Sequence, residues 1–166
     1  MIVRPETEQD HEAIREVNIA AFEGQPYSQQ TEHLIVEALR AADALEVSLV
    51  AEVDGRVVGH VVFSAAEIGG SSMGWSLLGP VAVLPARQGQ GIGRALVEAG
   101  LDTLRSRGAG GCVPVGDLAF YGRFGFRQYQ GVDWHGVPDE NVLCLLMSGE
   151  MPTGEVAYHP AFRVGT

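Results

Sequence analysis

The sequence predicts an α+β fold, α/β in the broad sense: a central mixed sheet, mostly antiparallel, with one parallel pair and helices packed on it. Three stretches predict it. Residues 78–107, LGPVAVLPARQGQGIGRALVEAGLDTLRSR, read as a strand, a glycine-rich turn and a helix. The apolar run 112–115 follows that helix, so it should return parallel to the strand at 78–84. Asp54-Gly55 is a tight hairpin signal between the apolar runs 47–53 and 57–66.

From the start of the chain, residues 1–4 form a short apolar strand and 5–10 a turn. A helix begins at His11, with Ile14, Val17 and Ala21 at helical spacing through Phe22. Glu23-Gly24-Gln25-Pro26-Tyr27 breaks it. A second helix at 30–42 carries Leu34, Ile35, Ala38 and Leu39 on one stripe. The strand at 57–66 is nearly all apolar and should be buried on both faces. Glu67 ends it, before a Gly69-Gly70-Ser71-Ser72 turn. The next strand, 75–84, stops at Pro85 and leads into the glycine turn; Gly108 closes the helix that follows. Pro114 is awkward in its strand, because proline cannot donate to the ladder. Asp117 reads as the cap of a short helix at 118–124. Asp133-Trp134-His135 belongs to a late loop, 142–150 to closing strands, and 154–162 to an extended aromatic tail packed on the body.

At 166 residues the chain, 1–166, reads as a single domain able to bury a sizeable core. No run approaches the ~20 apolar residues of a membrane helix. MIVRPETEQD lacks the basic-then-apolar pattern of a secretory signal, so a cytoplasmic location is expected. Cys112 and Cys144 stand in apolar runs without metal spacing and read as buried free thiols. A net charge of −10 argues against nucleic acid and anionic membranes. The charge is uneven: residues 1–67 hold 13 acids against 4 arginines, and residues 68–166 hold 8 against 7. An acidic front suits a cationic acceptor, and an arginine-bearing back suits a polyanion; the same charge also serves solubility. His60, inside an apolar strand, reads as a satisfied core histidine. Gly-x-Ser-x-Gly is absent, which removes a hydrolase elbow.

The junction at 85–94 has the chemistry of an anion site. The first N–H groups of a helix lack partners and lie at the positive end of its dipole. Glycines let a phosphate approach the backbone, and Arg87 and Arg94 add charge. A dinucleotide turn needs Gly-x-Gly-x-x-Gly, and here the last glycine is one residue early. A nucleoside-triphosphate loop needs Gly-Lys, and the chain has no lysine. Gln88-Gly89-Gln90-Gly91-Ile92-Gly93 instead resembles the Gln/Arg-x-x-Gly-x-Gly/Ala signature of the GNAT superfamily of N-acetyltransferases. Phe120-Tyr121-Gly122-Arg123-Phe124-Gly125-Phe126 matches the family's second signature, Phe/Tyr-Tyr-x-x-x-Gly-Phe. Segments including Ser48-Leu49-Val50-Ala51-Glu52, Val58-Gly59-His60-Val61 and the Tyr-His-Pro-Ala-Phe tail resemble its YhbS-like group across nearly the whole chain. That group more often has a leucine before Gly116-Asp117 and a proline after it.

The resemblance implies a GNAT fold: a sheet of six to seven strands, a parallel pair that splays apart, and about four helices. It implies acetyl transfer from acetyl-CoA, the cosubstrate, to a primary amine of a small molecule or protein, by direct attack in a ternary complex. Pro114 would then lie at the splayed part. The cofactor would contact Val81, Ala82 and Val83 on the strand. It would also contact Gln88, Gly89, Gln90, Gly91, Ile92, Gly93 and Arg94 through the turn, and Phe120, Tyr121 and Arg123 on the short helix. The Val83 N–H would stabilise the developing oxyanion. Tyr121, with an ordinary pKa near ~10, would protonate the departing thiolate. Phe22, Glu23 and Tyr27 would shape the acceptor pocket, with Asp133 beside it. The base stays open among Glu67, Glu23, Asp133 and water. No metal is implied. Many relatives are dimers, so a homodimer is an expectation that the apolar tail could serve. The reading from another class is a non-catalytic acyl-CoA-binding sensor, and an enzyme for longer acyl chains is a third.

Overall fold

The computed structural model describes residues 1–71, 74–116 and 118–164. Ser72 of the expected turn and Asp117, the expected cap, lie outside the described residues.

Among the described residues the strands are β1 (Ile2–Pro5), β2 (Val47–Val53), β3 (Arg56–Ile68), β4 (Trp75–Val83), β5 (Gly111–Pro114), β6 (Arg127–Gln128), β7 (Val132–Asp133), β8 (Leu143–Leu146) and β9 (Gly154–Tyr158). The helices are α1 (His11–Phe22), α2 (Glu32–Ala41), α3 (Ile92–Ser106) and the single turn α4 (Leu118–Tyr121), which continues as a 3-10 turn over Gly122–Phe124. The sheet runs β1-β2-β3-β4-β5-β8-β6; β9 adds to the end of β3, and β7 to β9. The β4–β5 pair is parallel, while β1 to β4 form an antiparallel meander. Asp54 (φ 51°) and Gly55 (φ 75°) both take positive φ, as the two-residue hairpin requires.

Two apolar layers clamp the sheet. Leu96, Val97 and Leu101 of α3 pack on Val61 and Phe63. Ile14 and Val17 of α1, with Ile35 and Leu39 of α2, pack on Val50, Val62 and Ala82. Alternate residues of β3 thus serve opposite layers, which is why that strand is apolar throughout. β3 extends to Ile68 because its end gains a partner: Ala66, Glu67 and Ile68 pair with Tyr158, Ala157 and Val156. The aromatic tail is therefore partly a strand, followed by a 3-10 turn at Pro160–Arg163.

The splay has a local cause. Val61 pairs with Val81 and Phe63 with Leu78, so Gly79 and Pro80 face Val62 alone. That is a β-bulge, which bends a strand. At Gly79 (φ +130°) a Cβ would lie 2.5 Å from Val115 Cγ2, so glycine is required where the two strands part. The last rung is Leu78 opposite Pro114, closed by the Val115 N–H donating to the Leu78 carbonyl at 2.9 Å. Pro114 thus sits in the final rung and not in the gap, which corrects the expectation. Since Val115 donates toward β4, the Pro114 nitrogen faces β8, whose pairing with β5 stops at Cys112. The missing donor has no ladder partner to lose.

Candidate active site

Beyond the bulge, β4 offers a backbone edge that no described strand pairs. The Leu84 N–H donates to the Val58 carbonyl at 2.9 Å, so Val58 and Leu84 form a hydrogen-bonded pair. Alternation then makes His60–Ala82 a hydrogen-bonded pair, and Gly59–Val83 and Val61–Val81 non-bonded ones. The N–H and C=O groups of Val81 and Val83 therefore face away from β3, into the gap left by β5. Ala82 spends its backbone on His60 and its side chain on the α1–α2 layer, where it is 1% exposed. Ala82 lies outside the lining of the cleft, between two residues that line it.

This edge floors a cleft of about 740 Å³. At one end lies the glycine turn. Gly89 (φ +76°) and Gly91 (φ +83°) take conformations that favour glycine, and a Cβ at either would point into open space. Gly91 caps α3, whose first N–H groups face outward, and Gly93 and Ile92 also line the cleft. Arg87, Arg94 and Arg123 border this end. The Arg94 Nε donates to Glu98 at 2.9 Å, and the Arg123 guanidinium lies 5.2 Å from the Phe120 ring centroid. Gln88 lines the cleft and its Nε2 donates to the Val83 carbonyl at 3.1 Å. Gln90 stands on the exposed turn outside the lining. A turn of positive-φ glycines with open space above it, a helix N-terminus and three arginines fits a pyrophosphate. A strand edge beside it that no described strand pairs fits an amide-bearing arm.

Tyr121 stands across the gap. It is 2% exposed, and its hydroxyl donates to the Val115 carbonyl at 2.9 Å. Its ring packs against Phe120 and Phe126. The hydroxyl is thus anchored on the strand that diverges, inside the cleft.

The α1–α2 side is acidic and aromatic. Phe22 closes α1, Tyr27 projects from the α1–α2 connection, and both line the cleft. With them come groups that the sequence did not single out: Gln25, Glu32 and Ile35, and Phe162 from the tail. Glu32 is the first residue of α2, and the Ser28 hydroxyl lies 2.7 Å from both of its carboxylate oxygens. Phe162 arrives because β9 pairs with β3, and its ring meets Tyr158 edge-on at 5.6 Å. The signal for Phe162 was the aromatic run of the tail. Glu32 carried none, since an acid in a first helical turn reads as a dipole partner.

Three expected carboxylates lie elsewhere. Glu67 pairs with Ala157 at the end of β3 remote from Val83, because β3 runs antiparallel to β4 and Gly59 is the residue opposite Val83. Its expected place near the site is corrected. Asp133 pairs with Glu155 of β9 at that same remote end. Glu23 caps α1 but is exposed and outside the lining.

His60 is fully buried in a directional chain. Asn18 Nδ2 lies 3.3 Å from His60 Nδ1, and Ser48 Oγ lies 2.8 Å from His60 Nε2. An amide N–H can only donate, so Nδ1 accepts and Nε2 carries the proton toward Ser48. Ser48 in turn donates to Glu6. Burial pushes the His60 pKa down, against the pull of Glu6. Glu6 is itself raised by desolvation, but hydrogen bonds from His60 and Ser48 and the Arg40 guanidinium prevail and hold it at about 2.

A family profile for the acetyltransferase (GNAT) domain matches residues 44–128, just over half of the chain. The chain is 34% identical to the N-acetyltransferase YhbS of Escherichia coli over 98% of its own length and 99% of that protein. A solved GNAT family acetyltransferase from Brucella melitensis, in complex with acetyl-CoA, is 52% identical, with a TM-score of 0.86 and 97% of each chain covered. The structure of E. coli YhbS in complex with CoA superimposes with a TM-score of 0.90 at 30% identity, over 99% of this chain and 93% of that one.

Proposed function

The chain belongs to the GNAT acetyltransferases, and from that premise we propose that it moves the acetyl group of acetyl-CoA to a primary amine by direct attack in a ternary complex. The observation that carries this reading is the β4 edge that no described strand pairs. Val81 and Val83 turn their backbone groups into one gap, between the α3 N-terminus and the Tyr121 hydroxyl. The α3 N-terminus and Arg87, Arg94 and Arg123 hold the phosphates. Val81 and Val83 pair with the amides of the pantetheine arm and set the thioester at the splay.

The chemistry then balances with this chain's own groups. The amine reaches the thioester carbonyl in neutral form, its proton having left to water at the open mouth of the cleft. A C–N bond forms, the attacking nitrogen gives up a second proton to water, and the C–S bond breaks, leaving the amide. The Val83 N–H donates to the carbonyl oxygen as it gains charge. The Tyr121 hydroxyl turns from the Val115 carbonyl to the departing sulfur and gives it a proton, which the phenolate regains from water. The reading places the enzyme in the cytoplasm, in keeping with free, buried Cys112 and Cys144. The test is release of free CoA thiol with an amine panel. Amine-dependent release is expected; CoA binding without release for any amine would leave an acyl-CoA-binding module instead. All 11 basic side chains besides histidine are arginines, so no lysine side chain of the protein competes as acceptor.

A further inference from the structure

The cleft is electrically polar. Among the described residues that line it, the arginines (Arg87, Arg94 and Arg123) gather at the glycine turn and α4. The acidic lining residue, Glu32, stands at the start of α2, in the layer across the sheet from α3. Phe22, Tyr27, Ile35 and Phe162 line the cleft with it. Glu32 is half-buried, and the Ser28 hydroxyl, 2.7 Å from each carboxylate oxygen, fixes its orientation. The Ser28 oxygen in turn accepts from the Gln30 N–H at 2.9 Å. A second observation agrees in sign: residues 1–67, which include α1, α2 and their connection, carry 13 acids against 4 arginines. Their summed field draws cations toward the mouth and turns anions away.

We propose that the acceptor is a cationic amine with an apolar or aromatic body and no carboxylate of its own, recognised by Glu32. The inference rests on the acetyltransferase reading and names its substrate class. On entry the ammonium docks on the Glu32 carboxylate, as a charge-assisted hydrogen bond at the edge of an apolar surface, and leaves it as it loses its proton to water and turns to the thioester. The carbon body fills the space between Phe22, Tyr27, Ile35 and Phe162, where cation–π attraction adds to burial. An α-amino acid or acidic peptide would bring a carboxylate to a part of the cleft where no described lining residue carries a positive charge, and would leave that charge beside Glu32.

A matched pair tests this: 2-phenylethylamine and phenylalanine, which differ by one carboxylate. Each is titrated calorimetrically into the protein saturated with CoA, and each is then assayed for acetyl transfer. The amine should bind at least about tenfold more tightly than the amino acid, a free-energy gap of about 1.4 kcal/mol. Glu32→Gln should weaken amine binding by about tenfold while leaving CoA affinity unchanged. Glu32→Arg should invert the preference toward phenylalanine, a gain that misfolding cannot imitate. Equal or tighter binding of phenylalanine by the wild type, no measurable binding of the amine at millimolar concentration, or amine affinity within twofold in Glu32→Gln would overturn the proposal. CoA is titrated alone into the protein beforehand; its failure to bind there overturns the acetyltransferase reading itself, and is seen separately.

Discussion

Replacing Tyr121 by phenylalanine removes one oxygen and separates two roles. In the folded protein that oxygen donates to the Val115 carbonyl at 2.9 Å, from a side chain only 2% exposed. Losing a hydrogen bond of this kind lowers stability by about 1 kcal/mol. For a chain of 166 residues that is a fall in melting temperature of about 2–4 °C. The ring contacts with Phe120 and Phe126 remain, so packing hardly changes. Loss of a general acid to the departing thiolate is far larger, about 10²–10⁴-fold in rate, or about 3–5 kcal/mol at 1.36 kcal/mol per decade. The assay is thiol release at saturating acetyl-CoA and amine, with melting temperatures measured alongside. The expected result is kcat down at least about 100-fold, KM for acetyl-CoA within a factor of a few, and a melting temperature lowered by a few degrees. A kcat within about fivefold of wild type, accompanied by the melting shift, would refute the acid role and leave Tyr121 as an anchor of the splay.

Gly91→Ala should cost the free protein about 1–2 kcal/mol of backbone strain at φ +83°, because a Cβ there meets nothing within 4 Å. Its CoA affinity should fall by at least about tenfold, as the methyl stands where a phosphate approaches; unchanged affinity by calorimetry would remove the phosphate from that turn. Glu67→Gln should keep kcat within about twofold, a ceiling set by the ±0.5 kcal/mol usual for surface changes, since it lies at the remote end of β3; a large loss would contradict the register. Stability should fall in acid in two windows. Burial depresses the pKa of folded His60, so above the unfolded value of about 6.5 the group has no effect, and below it stability drops by up to about 1.4 kcal/mol per pH unit. Glu6, held at about 2 against an ordinary 4.5, contributes fully above 4.5, and that contribution is lost as pH falls toward 2. Urea midpoints at pH 7.5, 5.5 and 3.5 check both, and His60→Gln should flatten the upper step. Equal wild-type midpoints at pH 7.5 and 5.5 would exclude a neutral buried His60.

What was legible in the sequence was local. The Asp54-Gly55 turn, the glycine turn and α3 are each set by neighbouring residues, and the structure reproduces them with matching ends: α3 begins at Ile92 and Gly108 takes φ +73°. The parallel return of β5 followed from chain connectivity alone. Long-range register was not legible. Glu67 stands at a strand end, as read, but only the pairing of Gly59 with Val83 tells which end of the sheet that is. Phe162 reaches the cleft through the β3–β9 pairing, across some 90 residues of chain. Glu32 lies at a helix start, where an acid has a local use that hides any other. The family resemblance puts Pro114 in the gap because a proline lacks a ladder donor; which neighbour its nitrogen faces, here β8, follows only from the register.

The central claim is that the gap beside Val81 and Val83, with the α3 N-terminus at its end, is a CoA site. It is tested most directly by the melting temperature in the presence of acetyl-CoA, CoA or NADP at equal concentration. Ligand at 100 times its dissociation constant stabilises the folded state by about 2.7 kcal/mol, a rise of about 5–10 °C for a chain of this size. The account predicts that rise with both CoA species and none with NADP. No shift with either CoA species at millimolar concentration, or an equal shift with NADP, would contradict it.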